Sequence, residues 1–376
     1  MQRVTMNNIS KGMVTARNVY DAAGQVLVKA NMVLIDQYVN RLRRMNIGSI
    51  YVVNPLLENV ELPEMVKEET RVNAVKAVQA AYQAYPKGEA VDSRNVENIA
   101  DKIVEEVLAN RQQMLQGTDM RTYTDYLYAH AVNVAVLSVM IGVNMDYNNS
   151  RLKDLAWGAL MHDLGEMKVP PEISGKQGKL SPEEWSEVKK HPELGFELLR
   201  KGSLNIPLPV AHIAFQHHEN FDGSGYPRNL KGEEIHEYAR IVAIANVYDA
   251  LVADRPFRPG FASHMACELM MTMAGRFLDT DILKVFLERV ASYPIGSVVR
   301  LSNKETGVVT AVPEGMASRP QVKIILDDKG RVCAAEECER DLSKELTLFV
   351  DRVLDEEAVI KIGNLYAKSK NAGHEG

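Results

Sequence analysis

The stretch RLKDLAWGALMHDLGE, residues 151–166, sets Leu152, Leu155, Ala156, Ala159 and Leu160 at helical spacing and ends on an ionisable pair, His162 and Asp163. Neighbouring residues on a helix point about 100° apart, so one of the pair can hold one ion while the other bridges to a second. The ordinary alternative is a histidine stabilised by the helix dipole beside an exposed acid. Which reading applies depends on what the neighbouring segments carry.

The apolar stretch AHAVNVAVLSVMIG (129–142) carries His130, and a lone histidine on such a helix is ordinarily a satisfied core residue. HPELGFELL (191–199) opens on His191, PVAHIAFQHH (209–218) closes on His217 and His218, and RIVAIANVYDALVADRPFRPG (240–260) buries Asp249, a carboxylate that needs a cation. Together they place five histidines and two aspartates on five apolar segments, a nitrogen-plus-carboxylate set that suits Fe, Mn, Zn or Ni. Seven donors exceed what one tetrahedral ion takes. Two ions roughly 3.5–4 Å apart, sharing Asp163 as a bridge, use them well.

Within HHENFDGSGYP (217–227), adjacent histidines diverge and can serve two positions of one cluster. Gly223 and Gly225 let backbone approach a bulky ligand. Tyr226 offers a face for a base, and Arg255 and Arg258 offer cationic forks for phosphate, the plainer alternatives being a surface loop and an exposed helix end.

At 376 residues the chain exceeds one ordinary core. Its composition, 46% hydrophobic and 25% charged, is globular, and no run of about 18 apolar residues is expected to span a bilayer. The start shows no secretory pattern, so a cytoplasmic location is expected. Cys267, Cys333 and Cys338 are read as free thiols, and a net charge of −6 argues against polymeric nucleic acid. Patterning predicts a small α+β module over 1–55 with a helix near 35–45, and a helical arm over 56–120. An all-helical domain over 121–292, a small β unit over 293–350 and a helical or disordered tail over 351–376 follow. Ser181 and Glu184 in SPEEWSEVKK carry the capping pattern of a helix start.

The segments HDLGE and HHENFDGSGYP resemble the HD-GYP family, bacterial phosphodiesterases that degrade cyclic di-GMP, over roughly residues 121–290. The resemblance implies a mainly α, HD-type metal-binding domain, with metal-ligand roles for His130, His162, Asp163, His191, His217, His218 and Asp249. It also implies ligand contacts from Tyr226 and the Arg255/Arg258 region. Two divalent ions are expected, Fe or Mn ahead of Zn or Ni, with Asp163 bridging beside an activated water that opens the ring to pGpG, and a second cut to GMP would follow the same chemistry. Tyr126 stands where some members place a third-metal glutamate, and Glu166 stands where lysine is usual. Glu166 is read here as an extra metal ligand, the alternative being that it faces the substrate and repels its phosphates. A weakly catalytic cyclic di-GMP receptor and an HD-type hydrolase of another nucleotide are the rival functions. A second copy or a signalling partner is expected to meet the end modules.

Overall fold

A computed structural model describes residues 1–376 apart from 21–24, 46, 58–59, 61–62, 85–86, 89–92, 117–125, 175, 177, 202–205, 254–259, 334–337 and 373–376. Its centre is α4, Tyr126–Asn144, built mostly of Ala, Val, Leu and Ile, with His130 and Asn133 among its few polar residues. A helix with so little polar surface must be covered on nearly every side. It is covered by α2 (Glu68–Ala84), α3 (Ser93–Ala109), α5 (Asn149–Leu160), α10 (Glu237–Val252) and α12 (Thr280–Leu287).

The stretch Leu127–Asn144 is, by length and composition, apolar enough to cross a membrane, contrary to the expectation that no such run exists. Here 83% of it is buried inside the protein.

The arm expected over 56–120 also differs from its reading. Val75, Val78 and Tyr82 of α2 and Ile99, Ile103 and Val107 of α3 belong to one buried cluster with Leu137, Leu155, Ile241 and Phe286. The charged residues of these helices lie mostly on the outer face. Ala74, Ala77 and Ala81 let α2 come close to the helices behind it. The Tyr82 hydroxyl donates to the carbonyl of Leu160 at 3.1 Å and so fixes the end of α5, where the His-Asp pair follows.

Short helices complete the domain: α6 (Pro171–Ser174), α7 (Pro182–Val188), α8 (His191–Lys201), α9 (Leu208–Gln216) and α11 (Ser263–Thr272). The α7 start has the expected capping box. Ser181 accepts from the Glu184 N–H, and the Glu184 carboxylate accepts from the Ser181 N–H.

The N-terminal residues form an α+β unit. Strand β1 (Gln2–Thr5) pairs antiparallel with β4 (Ser49–Val52), β2 (Val19–Tyr20) pairs with β3 (Val26–Val28), and α1 (Asp36–Arg44) closes a core of Val4, Leu34, Leu42 and Ile50. The C-terminal unit is a five-stranded antiparallel sheet of β5 (Val298–Leu301), β6 (Thr306–Ala311), β7 (Gln321–Leu326), β8 (Glu339–Asp341) and β9 (Val350–Val353), in the order β8-β7-β6-β5-β9. Strand β9 begins at the edge of the segment read as tail, because its partner β5 lies about fifty residues upstream and only the sheet supplies its ladder. Helix α13 (Glu356–Ala372) then returns to the N-terminal unit, where the Glu356 carboxylate accepts from the Thr5 N–H and hydroxyl and from the Asn8 amide.

Candidate metal centre

Helix α5 stops at Leu160, and a 3-10 turn over Leu164–Lys168 takes the chain across the domain. That turn approaches the start of α8 so closely that a Cβ on Gly165 would lie 1.9 Å from the His191 carbonyl oxygen. Glycine at 165 is therefore what lets His162, Asp163 and His191 converge. Asp163 is buried at the middle of the group. Its Oδ2 lies 3.1 Å from His162 Nε2 and 3.8 Å from His130 Nε2, while its Oδ1 lies 3.2 Å from His217 Nε2 and 3.5 Å from His191 Nε2. Each carboxylate oxygen thus faces its own pair of imidazoles.

The other ring nitrogens are occupied by the scaffold. The Nδ1–H of His162 donates to the Ala159 carbonyl at 2.7 Å, that of His191 to Val188 at 2.7 Å, and that of His217 to Ala214 at 3.0 Å. With Nδ1 as the donor, each Nε2 presents a lone pair to the centre. His191 Nε2 and His217 Nε2 then face each other at 3.3 Å, lone pair to lone pair, a repulsive arrangement that a cation between them relieves. His162 Nε2 and Asp163 Oδ1 are buried without a hydrogen bond, although buried polar atoms are ordinarily satisfied. The residues therefore fit a bound cation pair. They divide into two sets of converging ligand atoms, His130, His162 and Asp163 in one, and Asp163, His191, His217 and His218 in the other.

Protonation agrees with this division. Burial pulls the His191 imidazole down to about 4 and lowers His217 and His218 as well, so these rings are neutral and keep a lone pair at neutral pH. At Asp163 burial pushes the carboxyl upward, but His162 and His217 together outweigh it and hold the group well below the usual carboxylate range, and the same carboxylate raises the His162 imidazole against its own burial. The centre is an anion ringed by nitrogen donors.

Asp249, expected as a ligand, is held behind His130 in this structure. It is fully buried and outside both sets, accepting the His130 Nδ1–H at 2.6 Å on one oxygen and the Asn133 amide at 2.9 Å on the other. Asn133 in turn accepts from Arg71 Nη1 at 3.1 Å. The chain Arg71–Asn133–Asp249–His130 runs from α2 to the centre, and a carboxylate behind an imidazole is the usual way such a ring is aimed at a metal. Reading of the sequence passed over Arg71 and Asn133. The signal was present: Arg71 shares the apolar stripe of Val75, Val78 and Tyr82, where an arginine must have a buried partner. Arg71→Met is expected to lower metal affinity roughly 10–100-fold, measured by competition with a chelator, while Arg71→Lys retains part of it. Unchanged metal affinity in Arg71→Met would show that this chain of hydrogen bonds serves the core alone.

The centre forms the floor of a pocket of about 800 Å³, within the range of roughly 300–1,000 Å³ usual for ligand sites. Tyr226 and Glu166 are on its wall. Glu166 enters neither ligand set. Because the chain leaves the α-helix before it, Glu166 does not follow His162 by one α-helical turn, the geometry that its reading as a metal ligand assumed.

The GYP loop also departs from expectation in detail. A Cβ on Gly225 would meet the Asn220 nitrogen at 2.1 Å and the His218 carbonyl at 2.5 Å, so this glycine allows the loop to lie against the protein's own histidine turn. Gly223 has φ of 86°, a left-handed turn that favours glycine, and it is not among the pocket-lining residues. Tyr226 stacks on His218, with ring centres 4.8 Å apart. One face of its ring is therefore used within the protein. Arg255 and Arg258 lie outside the described residues, as does the Tyr126 side chain.

Residues 102–282 match the HD domain family, and residues 298–362 match a KOW domain associated with HD domains. The chain is 30% identical over 259 residues to a cyclic di-GMP phosphodiesterase of Pseudomonas aeruginosa, covering 69% of this chain and 62% of that protein. It is 25% identical over 243 residues to the cyclic di-GMP phosphodiesterase PdeB of Borreliella burgdorferi, covering 65% and 64%. A 3'3'-cGAMP-specific phosphodiesterase of Vibrio cholerae is 38% identical over 128 residues, covering 34% of this chain and 24% of the relative. The chain spans slightly under two thirds of the length of the first two relatives.

Proposed function

From the premise that residues 102–282 belong to the HD domain family, with the GYP loop at 225–227, we propose that this chain is a metal-dependent phosphodiesterase acting on cyclic di-GMP. The observation that carries the reading is the buried Asp163 carboxylate, each of whose oxygens faces a separate pair of imidazole Nε2 atoms. Two cations bound there would lower the pKa of a water between them and offset charge growing on the attacked phosphodiester.

The chain's own residues do the rest. Asp163 would bridge the two positions, His130 and His162 would hold one, and His191, His217 and His218 would hold the other. Asp249 keeps the His130 ring aimed, and Tyr226 backs His218 against the pocket wall. Histidine nitrogens with one shared carboxylate suit iron or manganese, with zinc or nickel as weaker candidates. The product is linear pGpG, and GMP follows where the opened dinucleotide can rebind the same centre.

The test is purification with and without oxygen, metal analysis, and chromatography of the products formed from cyclic di-GMP. About two ions per chain and metal-dependent formation of pGpG are expected. Absence of both would refute the reading.

One observation favours a second reading. The pocket lining includes Asp163, Glu166 and Glu219 but no lysine or arginine among the described residues, so bound cations would be the main positive charge facing the dianion, an arrangement that suits a receptor of low turnover in which the metal centre serves binding. Glu166→Lys distinguishes the roles of this acid. It changes the local charge by two units, so metal content should stay at the wild-type level and cyclic di-GMP binding should tighten roughly 3–10-fold, less at high salt. Loss of metal in this variant would return Glu166 to the ligand set.

A further inference from the structure

A cyclic dinucleotide carries two phosphates and two bases, and the centre around Asp163 accounts for one phosphate. The second must lie toward the mouth of a pocket whose described lining is acidic. At that mouth stands α7, which has no buried residue and leaves Trp185 46% exposed on the pocket wall. A large indole left in solvent beside a ligand cavity is an unused stacking surface. One residue past the helix, Lys189 places its Nζ 5.4 Å from the centre of the Tyr226 ring and 5.9 Å from that of Trp185. The lysines around it are differently engaged: Lys176 pairs with Glu184 and Lys190 with Glu187.

This edge is held in register with the centre by the backbone. The Val188 carbonyl at the end of α7 accepts the His191 Nδ1–H, and the Lys189 N–H donates to the Trp185 carbonyl at 3.0 Å. The Lys176–Glu184 pair and the capping box secure the start of the same helix. His218, Tyr226, Lys189 and Trp185 thus form a continuous path from the metal centre to solvent.

We propose that Trp185 and Lys189 form a subsite for the second nucleotide of the substrate, the indole stacking on its base and the ammonium group pairing with its phosphate. The proposal rests on the cyclic-dinucleotide reading and adds a recognition edge to it. A cation among aromatic rings suits a nucleoside phosphate, because the same edge offers a flat apolar face and a positive charge.

The experiment compares Trp185→Ala, Lys189→Met and Lys189→Arg with the wild type, all metal-loaded. It reads cyclic di-GMP binding by calorimetry and hydrolysis of both cyclic di-GMP and bis(p-nitrophenyl) phosphate, a diester with no second phosphate. Trp185→Ala and Lys189→Met should each weaken cyclic di-GMP binding roughly tenfold and raise its KM while kcat changes less than about twofold. Metal content and bis(p-nitrophenyl) phosphate turnover should be unchanged, Lys189→Arg should restore binding, and the lysine effect should shrink as salt rises. Equal binding by wild type and both variants overturns the subsite, as does equal loss on both substrates. Should the wild type bind without turnover and the variants bind more weakly, the subsite stands and the catalytic reading falls. A wild type that does not bind cyclic di-GMP overturns both.

Discussion

Asp163→Ala is expected to reduce bound metal from about two ions per chain to less than one and to lower cyclic di-GMP turnover by roughly a thousandfold or more. The carboxylate is the one group shared by the two ligand sets, so its removal leaves two cations with no anion between them at short range. The surrounding imidazoles cannot replace it, since burial keeps His191, His217 and His218 uncharged at neutral pH. Asp163→Asn is the companion variant. It keeps the volume and one oxygen donor, so the fold should persist with metal still lost, and circular dichroism with metal analysis checks both. A metal-replete, fully active Asp163→Ala protein would rule out the bridged centre.

Gly165→Ala should act through the backbone instead. The added methyl would lie 1.9 Å from the His191 oxygen and 2.6 Å from the Gly195 nitrogen, both on α8, so the turn and the helix must separate. Overpacking of this kind costs about 1–3 kcal/mol and more where backbone, not a flexible side chain, is the obstacle. The thermal midpoint should fall by several degrees. Because α8 carries His191, the ion held by Asp163, His191, His217 and His218 should be weakened more than the one on His130 and His162. Metal content should therefore fall toward one ion per chain, and activity should fall with it. A variant with unchanged melting and two ions would mean that the Gly165–His191 approach is looser than described.

Much of this centre was legible in the chain itself. The periodicity of 151–166 predicts a helix that carries the His-Asp pair; the helix forms, but α5 ends at Leu160 and the pair follows it in the turn. The Ser181/Glu184 pattern locates the start of α7. Both are local: side-chain spacing and a cap three residues away act within one turn of backbone. The donor types were legible for the same reason, since a histidine or aspartate on an apolar segment is costly wherever it folds unless a partner is present.

What only the tertiary structure decided is which partner each donor has. His130 and Asp249 are 119 residues apart, and nothing in either segment says that one carboxylate oxygen aims the ring while the other takes the Asn133 amide. Arg71 sits in a stretch whose charged residues make it look exposed, and its burial follows from α2 covering α4, a choice made by the whole core. Glu166 keeps its acidity in any fold, but the change from α-helix to 3-10 turn after Leu160 sets its direction. Residue types and local periods are properties of short segments, whereas the direction of a side chain toward a residue a hundred positions away is a property of packing. The sequence by itself therefore determined the helices and the chemistry of the donors, and the packing of α2, α4, α8 and α10 decided which of them meet at Asp163.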